Sequence, residues 1–264
     1  MAFSVVGKGQ PVLLLHSSMS SHRQWQQLVT DLSEDHLCIV PDLQGYGFPT
    51  TPVTVDSTGR NYQLADEAAV IVALLKELKI AEAVSVIGHS FGGALALHLA
   101  MTNAFAIKQL ILFEPVAFHL LQSSDAECVP LLAEVQALAT QLPMLSDQDG
   151  AQVFIDYWQQ EAYFTRLPKR MQHHLAAQVG KVTLDFQALI AEPFVLADYQ
   201  RLQMPVLLFS GRDSRRSAQK ISELLQATIA SAELRHVGTG HMGPVTHPTV
   251  VNPEIIRALR RGMA

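Results

Sequence analysis

Short apolar runs alternate with segments of helical spacing along most of this 264-residue chain. The runs are apolar at consecutive positions, which is typical of strands in a parallel sheet whose two faces are both covered by helices. They occupy residues 11–16, 36–41, 83–88, 108–115, 204–211 and 232–238. Helical spacing between two of these runs is shown by Leu64, Ala68, Ile71, Leu75 and Leu78. The alternation predicts an α/β fold with a doubly wound, mostly parallel sheet.

The alternation is interrupted between residues 118 and 202, where no segment is typical of a strand. The stretches there have helical spacing and are separated by Pro143, Pro168 and Pro193. We therefore expect a helical insert, residues 118–202, between two strands of one sheet. The core of the fold is then formed by residues 1–117 and 203–264.

Composition and charge indicate a globular protein, since 48% of the residues are hydrophobic, 16% are charged and the net charge is −5. The basic residues are densest in two short groups, Arg212, Arg215 and Arg216, and Arg257, Arg260 and Arg261. Both groups lie among apolar residues, whereas a phosphate-binding surface needs a larger cluster of basic side chains. Nucleic acid is therefore not an expected partner.

No apolar run reaches the roughly 18 residues that a membrane-spanning helix needs. The first ten residues, MAFSVVGKGQ, also lack the basic and long apolar regions of a secretory leader. We therefore expect no membrane partner and a cytoplasmic location. Cys38 and Cys128 both lie away from basic clusters and are interpreted as free structural thiols.

The stretch VSVIGHSFGGALAL, residues 84–97, runs from a strand pattern through Gly88, Ser90 and Gly92 into a helical pattern. Gly-x-Ser-x-Gly between a strand and a helix is the context of a nucleophile elbow, in which the serine hydroxyl is held in the open at a sharp turn. The glycines are expected to allow that turn. An ordinary glycine-rich turn has the same composition, but the strand–turn–helix context favours Ser90 as a nucleophile.

A nucleophilic serine needs a base that removes its proton. Among the eleven histidines, His241 is best placed, in a glycine-flanked loop after the last apolar run. His89 neighbours Ser90, but adjacent residues on such a turn point in different directions. His173 and His174 are adjacent in sequence and no nearby carboxylate completes a ligand set, so no metal site is expected.

Several segments resemble motifs of the α/β-hydrolase fold superfamily, with cap-domain hydrolases as the nearest group: LLLHSSMSS, PDLQGYG, GHSFGG and GTGHMGPVTHPTVVN. The resemblance covers nearly the whole chain and places the family's helical cap at residues 118–202. By position it implies Ser90 as nucleophile and His241 as general base. It also implies two oxyanion-hole donors, the backbone N–H groups of Phe91 and Ser18. Ser17 stands where the family has glycine.

Two carboxylates are candidates for orienting His241. Asp213 follows the run 204–211, where most of the superfamily keeps its acid, but the family pattern resembles Gly-x-x-Asp and Ser214 stands at the expected position. Glu114 ends an apolar run, a placement that resembles some haloalkane dehalogenases, and a carboxylate there needs a buried partner. We favour Glu114 and keep Asp213 as the alternative.

The resemblance implies a cofactor-independent serine hydrolase whose partner is a small-molecule substrate, a small or medium, mainly apolar carboxylic ester or related acyl compound. A monomer or homodimer is expected. Ser90 argues against haloalkane dehalogenases and epoxide hydrolases, which resemble this chain with aspartate at the elbow. Carbon–carbon bond hydrolases, lactonases, haloperoxidases and thioesterases stay open, as does a non-catalytic ligand-binding or receptor module. Five aromatic residues of the insert recur at helical spacing; some of them are expected to line the pocket and others to pack between helices: Phe154, Tyr157, Trp158, Tyr163 and Phe164.

Overall fold

The computed structural model describes residues 2–53 and 61–261. Over these residues the chain forms one sheet from β1 (Phe3–Gly7), β2 (Gln10–Leu15), β3 (His36–Pro41), β4 (Val84–His89), β5 (Ile107–Phe113), β6 (Val206–Gly211) and β7 (Ala232–Val237). The strand order is β1-β3-β2-β4-β5-β6-β7. β1 pairs with β3 in antiparallel orientation, and every other pairing in the sheet is parallel. The predicted α/β fold with a doubly wound, mostly parallel sheet is confirmed.

Helices connect the strands on both sides of this sheet. Those of the core are α1 (Gln26–Leu32), α2 (Leu64–Glu77) and α3 (Phe91–Met101). Between β5 and β6 lie α4 (Cys128–Gln141), α5 (Asp147–Trp158), α6 (Tyr163–Arg166), α7 (Lys169–Ala176) and α8 (Val179–Ile190). After β6 come α9 (Arg216–Thr228), α10 (Gly243–Thr246) and α11 (Pro248–Arg261). Short 3-10 helices occupy His22–Trp25, Phe118–Leu121, Leu142–Met144 and Leu196–Arg201.

Both faces of the sheet are buried, because alternate residues of a strand enter different apolar clusters. In β2, Leu13 and Leu15 belong to the larger cluster, with residues of α2, α3, α9 and the insert. Val12 and Leu14 belong to a smaller cluster that α1 and α11 cover. This arrangement explains why the strand is apolar at consecutive positions.

β1 is the strand that the hydrophobic pattern missed. It lies at the sheet edge, antiparallel to β3, with Val5 opposite Ile39. Four of its five residues are exposed, so its side chains add little to the core and leave no apolar periodicity in the sequence. The strand is held by its ladder of backbone hydrogen bonds and not by burial.

The carboxyl ends of β2 and β4 lie side by side, with Leu15 opposite Gly88. The chain leaves them in opposite directions, since β3 lies beyond β2 and β5 lies beyond β4. Such a switch point opens a crevice at the sheet edge, where α/β proteins bind their ligands. The loop after β2 and the turn at Ser90 therefore border the same space.

Among residues 2–53 and 61–261, no helix combines the length and the hydropathy that crossing a bilayer requires.

Candidate active site

Ser90 lies between the end of β4 and the start of α3, with backbone angles φ 55° and ψ −118°. A positive φ is costly for a residue with a Cβ, so the surrounding structure must hold it in place. The Ser90 N–H donates to the Phe113 carbonyl at 3.0 Å, and the Ser90 carbonyl accepts from the N–H groups of Gly93 and Ala94 at 2.9 and 3.0 Å. These bonds tie the turn to β5 and to the first turn of the helix.

The two glycines of the elbow make room for this turn. A Cβ on Gly92 would lie 2.4 Å from the Leu15 carbonyl oxygen, and a Cβ on Gly88 would lie 2.5 Å from the Gly92 carbonyl oxygen. Neither glycine has a positive φ, whereas Ser90 does. The glycines therefore allow the turn through the space they leave and not through a left-handed backbone of their own. Ser90 adopts the unusual backbone and the glycines permit close packing.

His241 links Ser90 to Glu114 through its two ring nitrogens. Nε2 lies 2.9 Å from the Ser90 hydroxyl, and Nδ1 lies 2.7 Å from Glu114 Oε2. Because an ionised carboxylate only accepts hydrogen bonds, Glu114 favours the tautomer with its proton on Nδ1. Nε2 is then free to accept the serine proton. All three side chains are buried, with Ser90 6% exposed and Glu114 fully covered.

The second oxygen of Glu114 is also held. Oε1 accepts the Gly211 N–H at 2.6 Å and lies 3.4 Å from the Ser210 hydroxyl. Glu114 itself has a positive φ of 43°, and its N–H donates to the Phe209 carbonyl at 3.0 Å. The end of β6 thus fixes a carboxylate carried by the end of β5, which stabilises its charge in a buried place.

Asp213, the alternative acid, lies outside this hydrogen-bonded chain. It is exposed, and its N–H donates to the Thr239 carbonyl at 3.2 Å. Ser214, at the position where the family pattern has its acid, has a buried hydroxyl without a partner among the described residues. The structure therefore brings Glu114 and not Asp213 to His241.

The backbone N–H groups of Ser18 and Phe91 donate no hydrogen bond within the described part of the chain. They lie on the loop after β2 and at the first residue of α3, the two segments that border the switch point. The left-handed residue of the loop is Met19, with φ 54°, so Ser17 replaces the family's glycine without backbone strain. Gln24 Oε1 accepts both the Ser17 N–H at 3.1 Å and the Ser17 hydroxyl at 3.0 Å.

Two rings contact His241 besides its hydrogen-bond partners. Trp158, at the end of α5, stacks on it with centroids 3.9 Å apart and an interplanar angle of 25°. His89 Nε2 donates to the His241 carbonyl at 2.9 Å. Burial lowers the pKa of His89 well below its usual value, so this histidine is neutral and supports the loop that carries His241. Sequence reasoning had assigned no contact to His89.

A cavity of about 50 Å³ lies over the serine, with Phe154, Ile155, Trp158, Met19 and Met242 as its apolar walls. Of the five aromatic residues that recur at helical spacing in the insert, Phe154 and Trp158 line this cavity. Larger clefts lie elsewhere, one of about 540 Å³ beside His119 and Glu192, which neither Ser90 nor His241 lines.

The other three aromatic residues, Tyr157, Tyr163 and Phe164, lie outside this cavity wall. Phe164 is 1% exposed and is part of the core. The Tyr157 hydroxyl lies 3.3 Å from the Ser217 hydroxyl of α9, and its ring contacts the Arg215 guanidinium. Tyr163, half-buried at the start of α6, is likewise not part of the cavity wall. Helical spacing shows which residues share a face, but it does not show what that face covers.

Residues 2–53 and 61–261 contain no group of three His, Cys, Asp or Glu side chains placed to hold a metal ion. The chemistry that the arrangement can perform is nucleophilic attack by a serine whose proton a buried, carboxylate-held histidine accepts.

The α/β hydrolases share this architecture: a mostly parallel sheet, a serine at a strand–helix elbow and a histidine after the last strand. The chain belongs to the alpha/beta hydrolase family, whose sequence model matches residues 12–254. The resemblance inferred from the four sequence segments is thereby confirmed.

Curated relatives in this family include enzymes of several activities. The chain is 33% identical over 125 residues to a cis-3-alkyl-4-alkyloxetan-2-one decarboxylase of Shewanella oneidensis, a match that covers 47% of this chain and 37% of that protein. It is 32% identical over 126 residues to a 2-hydroxy-6-oxo-2,4-heptadienoate hydrolase of Pseudomonas putida, covering 46% and 44%. The chain thus spans less than half the length of these two relatives.

Among solved structures, the esterase EaEST from Exiguobacterium antarcticum is similar to this chain with a TM-score of 0.75. The alignment covers 98% of this chain and 94% of that one at 18% sequence identity, which shows a shared fold.

Proposed function

We propose that the protein is a cofactor-independent serine hydrolase that cleaves a small or medium, mainly apolar carboxylic ester or related acyl compound. The observation that carries the proposal is the buried hydrogen-bonded chain from Ser90 through His241 to Glu114. A hydroxyl, a neutral imidazole and a carboxylate in this order form the arrangement that activates a serine for attack on an acyl carbon.

In the proposed reaction the Ser90 hydroxyl attacks the carbonyl carbon while His241 Nε2 accepts its proton. The Phe91 and Ser18 N–H groups donate to the oxyanion that develops, and Glu114 stabilises the imidazolium. His241 returns the proton to the departing alkoxide, which leaves an acyl group on Ser90. Water, deprotonated by His241, then attacks the acyl carbon and releases the acid.

Entry of a substrate requires a rearrangement of the site. The cavity over Ser90 has only about 50 Å³, close to the volume of one or two water molecules. Trp158 stacks on His241 and lines this cavity, so a change in the position of its side chain would enlarge the space beside the serine. The apolar walls favour apolar acyl groups over charged ones.

The test is fluorophosphonate labelling of Ser90 together with hydrolysis of p-nitrophenyl esters of increasing acyl length. Wild type is expected to be labelled at Ser90 and to turn over apolar esters better than charged ones. Ser90→Ala, His241→Ala and the double variant are each expected to lose about 10⁴-fold or more in kcat, because the two side chains act as a unit.

Two results would contradict this proposal. Ser90→Ala that keeps a tenth of the wild-type kcat would remove Ser90 as the nucleophile. A folded wild type that is neither labelled nor active would instead favour the ligand-binding or receptor module.

A further inference from the structure

A group of buried charged and phenolic side chains, here named the Lys181 cluster, lies where α8 packs on the core. It consists of Lys181 and Asp185 from α8, Glu67 from α2, and Tyr46 and Tyr62. Lys181 Nζ contacts Asp185 Oδ1 and lies 3.0 Å from Glu67 Oε1. The Tyr46 hydroxyl donates to Asp185 Oδ2 and the Tyr62 hydroxyl donates to Glu67 Oε1. No member is more than 5% exposed.

The charges of this cluster stabilise one another. Burial alone opposes the charge on Lys181, but Asp185 and Glu67 outweigh it and raise the pKa of the lysine above its usual value. The ammonium also lies within 4.5–4.9 Å of the ring centroids of Phe91, Tyr46 and Tyr62. Removing one partner would leave a buried charge without compensation, so the geometry of the cluster is tightly restrained.

The cluster contacts both segments that carry the proposed oxyanion donors. The Ser18 hydroxyl donates to Asp185 Oδ2 at 2.8 Å, so Ser18 and Tyr46 share one carboxylate oxygen. The Phe91 ring has its centroid 4.5 Å from Lys181 Nζ. None of these contacts is needed to build the elbow itself, which β4, β5 and α3 hold.

Three side chains restrain the loop after β2, His16 and Gln24 on the core side and Asp185 on the side of the insert. On the core side, Gln24 holds the N–H and hydroxyl of Ser17. On the side of the insert, Asp185 holds the Ser18 hydroxyl. Between these attachments lies the Ser18 N–H, which has no partner among the described residues. The Ser17 carbonyl lies in the same peptide plane as this N–H and accepts from His16 Nδ1 at 2.7 Å. The direction of the Ser18 N–H therefore depends on His16 on the core side and on where α8 places Asp185 on the other side.

We propose that Asp185 is a positioning residue that aims the Ser18 N–H at the oxyanion through its bond to the Ser18 hydroxyl. The inference rests on the proposed function and deepens it. The loop after β2 supplies the donor, and a helix of the insert sets its orientation together with His16. Displacement of α8 from the core would thus weaken the oxyanion hole without touching Ser90 or His241.

The experiment measures kcat and KM for p-nitrophenyl butyrate with Ser18→Ala, Asp185→Asn and the double variant. Ser18→Ala removes the hydroxyl and keeps the backbone N–H, so kcat is expected to fall about tenfold with KM within about twofold of wild type. Asp185→Asn is expected to do the same, and the double variant is expected to be no worse than either single one because both changes break one link.

Tyr46→Phe is the matched control, since it removes the other hydroxyl that donates to the same oxygen of Asp185. Its urea midpoint is expected to fall as much as that of Ser18→Ala, while its kcat stays within about twofold of wild type. A general structural role for the cluster would instead lower kcat in both variants alike. If Asp185→Asn does not fold, the comparison of Ser18→Ala with Tyr46→Phe decides.

Wild-type kcat in Ser18→Ala, or an equal loss of kcat in Tyr46→Phe, would overturn the inference. Either result with an active, fluorophosphonate-labelled wild type would leave the proposed hydrolase intact. A wild type that is folded, inactive and unlabelled would instead remove the proposed function and this inference together.

Discussion

The two oxygens of the Glu114 carboxylate have different hydrogen-bond partners, one on the histidine and one on the backbone of β6. Oε2 contacts His241 Nδ1, while Oε1 accepts the Gly211 N–H. Free rotation of the carboxylate would break both bonds, so the imidazole is held in one orientation. At the scale of single residues, the orientation of the His241 ring therefore depends on a carboxylate that has no direct contact with Ser90.

Replacing this acid is expected to abolish most of the activity. Glu114→Gln keeps the size of the side chain but removes the charge that stabilises a protonated His241. We expect kcat to fall by roughly 10⁴-fold, as for the loss of the acid in comparable triads. Asp213→Asn is the matched control on an exposed residue and should keep kcat within about twofold.

Circular dichroism checks that both variants fold. A collapse of kcat confined to Asp213→Asn would reverse the choice between the two carboxylates, and equal small losses would show that neither acts as the acid.

Sequence reasoning reached the residues whose signal is local. Ser90 and His241 lie in short segments with glycines at fixed offsets, and Glu114 is a carboxylate at the end of an apolar strand. The bond between Ser18 and Asp185 joins residues 167 positions apart. Neither segment contains a sequence signal for contact with the other. Lys181 and Asp185, four positions apart on one helix, do indicate that buried charges there need partners.

At the scale of elements, α3 packs closely against the end of β2, and glycine is what permits it. A Cβ on Gly92 would lie 2.4 and 2.5 Å from the carbonyl oxygens of Leu15 and His16. Backbone atoms in a central strand cannot move aside as the end of a flexible side chain can. The nucleophile elbow thus needs its second glycine for packing between a helix and a strand.

Two glycine substitutions on different helices separate this packing effect from helix propensity. Gly92→Ala is expected to lower the free energy of unfolding by at least about 2 kcal/mol, because the added methyl group has no room. Gly180→Ala, on an exposed position of α8 with no atom within 4 Å of the new Cβ, is expected to raise it by up to about 1 kcal/mol.

Urea denaturation of both variants provides the measurement. A Gly92→Ala variant as stable as wild type would show that α3 can shift away from β2, which would contradict the close packing described for the elbow.

The strands were predicted where their apolar side chains reach one of the two cores. All six predicted strands are present, since each has apolar residues that enter one of the two cores. β1 was missed because an exposed edge strand pairs through its backbone and carries little apolar signal. The sequence left open which aromatic residues form the pocket wall, because Tyr157, Tyr163 and Phe164 share the helical spacing of Trp158 but face other neighbours.

At the scale of the whole molecule, three histidines are buried without charge in different parts of the chain. Burial lowers the pKa of His16 and of His119 from 6.5 to about 4, and it lowers the pKa of His89 as well. Their hydrogen bonds agree with the neutral form. His16 Nε2 accepts the Leu43 N–H at 2.9 Å, for example, which a protonated ring could not do.

These histidines predict that the protein loses stability in mild acid. Below pH 6.5 the unfolded chain binds protons at these positions, whereas the folded rings at His16 and His119 stay neutral to about pH 4. The unfolded state therefore binds more protons, and the free energy of unfolding decreases as the pH falls from 6.5 towards 4. Each histidine contributes up to about 1.4 kcal/mol per pH unit in this window.

Urea denaturation at several pH values between 7 and 4.5 measures this slope. His119→Gln removes one of the three groups at a position away from Ser90 and should make the slope shallower by about one histidine's share. A slope unchanged by His119→Gln would show that this ring is protonated in the folded protein.

The positive φ angles of Ser90 and Glu114 affect which substitutions evolution can accept at these two positions. Both residues hold a backbone conformation that glycine adopts freely and that costs other residues about 1–2 kcal/mol. A descendant with no need of the reaction could exchange Ser90 for glycine and gain stability in a single step, whereas exchange of Glu114 would leave the Gly211 N–H and His241 Nδ1 without their partner. The reverse substitution would lower the free energy of unfolding again. Loss of the site is therefore an easier evolutionary path than its return.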